Sequence, residues 1–231
     1  MWNGCWPRFA GSQPACYAAR RLAGLDLTQI LSAFVILIAS LTFHEAAHAW
    51  TANYLGDPTA RQLGRLSLNP AVHIDVIGTL VFPLIALLTG VPLIGWAKPV
   101  PVDMRNLRHP RRDFAIVALA GPISNLILAT AGAIVFHATL DSESGVAVSE
   151  LLSRGLILFV LVNVLLAVFN MIPIPPLDGG NVLMGVLPEA AAATIDRLRP
   201  YGFIMLYVLM LTGLLSALTM PIRNLILGWL L

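Results

Sequence analysis

Long apolar runs separated by short polar breaks dominate the 231-residue chain. The first runs from Leu27 past Trp50 and carries no charge before Glu45. Further runs cover Phe114 to about His137, Leu151 to Ile172 and Tyr201 to Thr219, and a short apolar tail follows Pro221 and Arg223. Each full-length run approaches the ~20 residues that a bilayer-crossing helix needs. The stretch Ile77 to Trp96 is equally apolar but is interrupted by Gly78, Pro83, Gly90, Pro92 and Gly95. The pattern predicts an all-α polytopic membrane protein with about four full transmembrane helices plus a re-entrant segment.

Charge orients these elements. Lys and Arg prefer the cytoplasmic loops. Arg61 and Arg65 fall in 51–76, five basic residues in 98–113, and Arg197 and Arg199 in 173–200, whereas 138–150 holds acids and no Lys or Arg. The first three segments are therefore expected inside and the acidic one outside, although Arg8, Arg20 and Arg21 of the N-terminal tail pull the other way. With 51–76 and 98–113 on one side, 77–97 has to enter and leave by the same face. Irregular backbone at that depth is tolerated against protein or a wet cavity; a kinked full span is the alternative. Residues 1–24 read as a loose tail without signal-peptide character, and 25–231 as a single membrane-embedded domain.

Composition narrows the chemistry. The chain is 58% hydrophobic and 11% charged, against about 25% charged in soluble domains. A net charge of +2 spread over loops gives no nucleic-acid footprint. The two cysteines, Cys5 and Cys16, both lie in the tail, so a metal in the apolar core falls to His and carboxylate.

Such a set is present. His44-Glu45-Ala46-Ala47-His48 sits inside the first apolar run. Residues four apart share a helix face, so His44 and His48 can offer nitrogens to one ion, with Glu45 beside them as general base. Ionisable groups inside a span are expensive and tend to be functional; packing alone is the bland alternative. A catalytic zinc site usually takes three protein ligands, and Asp178 is the candidate third. It lies in a break where Pro173, Pro175 and Pro176 forbid regular helix and Gly179-Gly180 permits a sharp turn. The parity of the spans puts it on the same side as the histidines, and capping a helix is its plainer role.

His44-Glu45-x-x-His48 in one span, with Asn170-x-x-Pro173-x-Pro175-x-Leu177-Asp178-Gly179 after a later one, resembles the site-2 protease family of intramembrane zinc metalloproteases. Gly121-Pro122-x-x-Asn125 matches a further motif of that family, and Leu68-Asn69-Pro70-x-x-His73-Ile74-Asp75 one of its small bacterial branches, whose proline after the aspartate is here Val76. The resemblance implies one zinc ion held by His44, His48 and Asp178 with Glu45 catalytic. It implies cleavage of membrane-protein substrates in or near a transmembrane helix, as in regulated intramembrane proteolysis. It also implies a bacterial inner-membrane location with the site toward the cytoplasm. No PDZ or CBS region is visible. An unwound substrate helix needs partners for its backbone, and Asn170 and Asn125 are the candidate substrate or oxyanion contacts. The rival readings are a membrane metal-ion transporter and a non-catalytic metal-binding scaffold. A transporter would string ionisable groups along a path, often with repeat symmetry; this chain gathers them and shows no repeat.

Overall fold

The computed structural model describes residues 27–89, 94–140 and 150–231. The N-terminal tail with both cysteines, and most of the acidic 138–150 loop, lie outside the described residues. Within them the chain is helical, and three helices are long and apolar enough to cross a membrane. These are α1 (Leu27–Tyr54), α3 (Pro110–Leu140) and α4 (Glu150–Asn170). At 28 residues α1 is about 42 Å long.

Helix α3 is the centre of the bundle and packs against α1, α4 and α5 (Asp178–Val186). Its inner face is built from small residues, with Gly121, Ala129, Gly132 and Ala133 all buried. Small side chains let helices approach closely where lipid removes the hydrophobic drive for association. Val160, Val164 and Val168 of α4 fill the facing surface.

Between α1 and α3 lies the segment 77–97, interrupted by glycine and proline. A π-helical turn over Val76–Val81 leads into α2 (Phe82–Thr89), and residues 94–103 run without regular secondary structure. The two legs meet where they started: Lys98 N–H donates to His73 O at 2.9 Å and Trp96 N–H to Gly78 O at 3.2 Å. Asp75 accepts from Gly78 N–H at 2.8 Å, which pins the entry. Trp96 packs edge-on between Phe82 and Phe203. Gly78 makes the room, since a Cβ there would stand 2.5 Å from the indole.

The C-terminal region departs from the single span expected over 201–219. After α6 (Glu189–Asp196), α7 (Gly202–Leu211) and α8 (Leu214–Leu230) are bent by 79°. Gly213 takes φ +77° at the break, a left-handed conformation that costs glycine little. The bent pair counts as a fourth span at most. Helix α8 lays Ile226, Leu227 and Leu230 on the α3–α4 core.

Asp57 ties together the connections that follow α1 and precede α3: its carboxylate accepts from Asp103 N–H at 2.7 Å, Asn106 Nδ2 at 2.9 Å and Thr59 Oγ1 at 2.5 Å. Arg111 reaches from the start of α3 to the carbonyls of Met184 and Leu187 at the end of α5.

Candidate metal centre

His44 and His48 sit one turn apart on α1, buried at 3% and 7% exposure, with ring planes 85° apart. Asp178 reaches them from the first turn of α5. The turn before it, 171–177, is folded so tightly that a Cβ on Gly180 would stand 2.5 Å from Pro175 N. The glycine pair thus lets α5 begin directly against the proline break and aims the carboxylate inward.

One carboxylate oxygen faces each ring. Asp178 Oδ2 lies 3.0 Å from His44 Nε2, and Oδ1 lies 3.4 Å from His48 Nε2. The three ligand atoms fall within 4.8 Å of one another, and no other group of three is found among the described residues. Bond lengths of ~2.0–2.2 Å in a tetrahedral zinc site put neighbouring ligand atoms about 3.3 Å apart. The donor set fits.

Both rings are also held in the tautomer that ligation requires. His48 Nδ1 lies 2.7 Å from Val117 O, and a carbonyl can only accept, so Nδ1 carries the proton. His44 Nδ1 lies 2.6 Å from Asn125 Oδ1 and donates likewise. With the proton on Nδ1, the ring nitrogen left to ligate is Nε2, and in both rings it faces Asp178. Two such nitrogens and a carboxylate, gathered on one small buried volume, make a donor set for a cation.

Helix α3 leaves that volume open. A Cβ on Gly121 would stand 2.5 Å from the Nε2 atoms of both histidines. The glycine of the Gly121-Pro122-x-x-Asn125 motif thus supplies space at the donors, and its asparagine supplies an acceptor behind them.

Glu45, 8% exposed, lies next to this centre. Its Oε2 accepts from Val100 N–H at 3.2 Å, in the segment 94–103. Arg65 anchors that segment, donating from Nη2 to Lys98 O at 2.6 Å and to Pro99 O at 3.4 Å. The residues open onto a cavity of about 810 Å³, walled also by Trp96, Phe169, Asn170, Phe203 and Tyr207. Asn170 is half-buried on the cavity wall, its Nδ2 donating to Leu166 O at 2.9 Å. Asn125, expected beside it as a substrate or oxyanion contact, has no exposed surface, and both of its amide atoms are engaged within the bundle.

The chain is 39% identical over 193 residues to YwhC of Bacillus subtilis (strain 168), covering 82% of this chain and 84% of that protein. It is 31% identical over 212 residues to Rip2 of Mycolicibacterium smegmatis, covering 90% and 77%. Rip2 of Mycobacterium tuberculosis (strain H37Rv) is 30% identical over 188 residues, covering 79% and 69%. All three carry zinc metalloprotease names. The model of peptidase family M50 matches residues 141–213, the part that bears Asp178.

The chain belongs to peptidase family M50.

No solved structure matches it. As an M50 member with apolar spans and a His/His/Asp donor set, it is a membrane-embedded zinc metallopeptidase. Four contributions were not read from the M50 sequence: the room at Gly121, the Val117 carbonyl, the Val100 amide and the Arg65 anchor. Only Gly121 stood inside a recognised motif.

Proposed function

We propose that this M50 peptidase hydrolyses peptide bonds in or beside transmembrane segments of other membrane proteins, from a site open to the cytoplasmic side of a bacterial inner membrane. In this reading His44, His48 and Asp178 hold zinc, Glu45 moves the proton, and Asn170 meets the substrate backbone. The observation that carries it is the convergence of His44 Nε2, His48 Nε2 and an Asp178 oxygen within 4.8 Å of one another, with Glu45 beside them on a cavity large enough for an unwound segment.

Zinc in that donor set supplies Lewis acidity and lowers the pKa of water toward ~7. Glu45 takes a proton from the attacking water onto its carboxylate and passes it to the leaving amine. The Val100 N–H fixes one carboxylate oxygen, so the group is already oriented when substrate arrives. Asn170 offers its amide to backbone groups that a substrate helix frees on unwinding, each costing several kcal/mol if left unpaired in lipid.

The side assignment rests on charge. The polar connections at the metal end carry Arg61, Arg65, Lys98, Arg105, Arg108 and Arg111, as cytoplasmic loops do. On that orientation the 77–97 excursion is re-entrant, in keeping with its two legs meeting at His73 and Lys98.

The test is cleavage of a single-span substrate by the purified protein, with and without a zinc chelator, beside Glu45→Gln. Cleavage lost in both controls is the expected result. Intact substrate in every lane, with zinc moving into proteoliposomes, would replace the peptidase reading with transport.

A further inference from the structure

One buried polar group on α4 plays no part in the mechanism above. Asn163 has no exposed surface and sits in an otherwise apolar run. Its Nδ2 donates to Ser40 Oγ at 3.0 Å and to Phe159 O at 2.9 Å. Its Oδ1 accepts from Asn125 Nδ2 at 2.9 Å. Asn125 Nδ2 also points at Ser40 O, at 3.4 Å, while Asn125 Oδ1 takes the proton of His44 Nδ1. Ser40, Asn125 and Asn163 are all at 0% exposure.

We propose that Asn163 is a positioning residue for the metal site, setting the tautomer of His44 through Asn125. The proposal rests on the reading of His44 as a zinc ligand. An asparagine amide can present either its oxygen or its nitrogen to a neighbour, and at Asn125 the two choices have opposite consequences. With the oxygen toward His44, Nδ1 carries the proton and Nε2 keeps its lone pair. With the nitrogen toward His44, Nδ1 has to accept, the proton moves to Nε2, and the ring cannot ligate.

Asn163 decides between them. Its own nitrogen is committed to a hydroxyl and a carbonyl, both acceptors here, so its oxygen faces Asn125 and draws the Asn125 nitrogen away from the histidine. The direction is passed from α4 to α3 to α1. With all three residues sealed from solvent, no water can substitute for a lost member. Outer-shell partners of this kind typically change metal affinity by 10–100-fold when removed.

The experiment compares the full-length parent protein in detergent with Asn163→Leu and with Val164→Ala, a packing lesion at the adjacent buried position. Zinc affinity is read by chelator competition, and the His44 tautomer in the zinc-free protein by imidazole ¹⁵N shifts. Asn163→Leu should bind zinc about 10–100-fold more weakly and show a population with the proton on Nε2. Val164→Ala should lower the thermal midpoint and leave affinity and tautomer alone. A folded Asn163→Leu protein with parental zinc affinity and only the Nδ1–H form overturns the proposal. If that variant does not fold, Ser40→Ala removes one acceptor of Asn163 and should shift affinity and tautomer in the same direction by less; no shift in either overturns it. A parent that takes up no zinc sinks the ligand reading itself, a result distinct from a zinc-binding parent whose variants do not respond.

Discussion

The backbone N–H of Val100 donates to Glu45 Oε2 across 3.2 Å, joining the segment 94–103 to the carboxylate beside the His/His/Asp donor set. Arg65, 7% exposed, holds that segment by two carbonyls. Arg65→Met should therefore let the segment drift and disorient Glu45. The expected outcome is a kcat reduced about tenfold, with KM moved far less and zinc content unchanged. That matches the loss of a charge-assisted hydrogen bond worth ~1.5–3 kcal/mol. Arg65→Lys should recover part of the rate, since both bonds leave the one nitrogen Nη2, which an ammonium can replace in kind but not in position. Steady-state kinetics on a single-span substrate decide it.

Gly121→Ala should abolish zinc binding while leaving a folded helix bundle. The added methyl would stand 2.5 Å from both Nε2 atoms, and alanine favours helix more than glycine. Metal analysis of the purified variant should give far less than the parent's zinc. Circular dichroism should show undiminished helix. A fully loaded, active variant would contradict the placement of the ion against α3.

Asn170→Leu should separate binding of metal from turnover. The side chain lies on the cavity wall, its Nδ2 bonded to Leu166 O. Zinc content should stay at the parental level while kcat/KM falls by about 10²–10³, the usual loss when a donor to a developing oxyanion is removed. Equal turnover in variant and parent would remove Asn170 from the substrate's path.

Acid should loosen the polar end of the bundle before the spans. Burial alone would raise the Asp57 carboxyl, but hydrogen bonds from the Thr59 hydroxyl, Asn106 and the amides of Asp103 and Thr59 hold it below the ordinary carboxylate range. A group depressed in the folded state adds stability above its unfolded pKa, and that stability is lost as pH falls through the folded value. The thermal midpoint should therefore drop below about pH 4, and Asp57→Asn should lower it at neutral pH and flatten this acid dependence.

The spans, the two histidines with Glu45, and the proline-broken turn bearing Asp178 were legible because each follows from a local pattern. Period four put both imidazoles on one face, and a run of twenty apolar residues admits few other readings in water. Asn163 was not legible: it belongs to no motif, and its meaning depends on Ser40 and Asn125, 123 and 38 residues away. Asn125 was noticed by its motif as a candidate substrate or oxyanion contact; its bonds to His44 and Asn163 were not legible, since a helix position does not say which flank turns inward. The bend at Gly213 was hidden for another reason: one glycine among apolar residues is common in spans, and only packing of α8 on α4 selects the break.

The segment over the cavity contains Pro99 and Pro101 on either side of Val100. Prolines bring no amide hydrogen, Lys98 has spent its own on His73, and Val100 has spent its own on Glu45. A guest chain lying alongside would thus meet an almost acceptor-only margin, a lopsided ladder in which the visitor must bring the hydrogens. Pairing along that margin would be sparse, because few hydrogens are offered from this side.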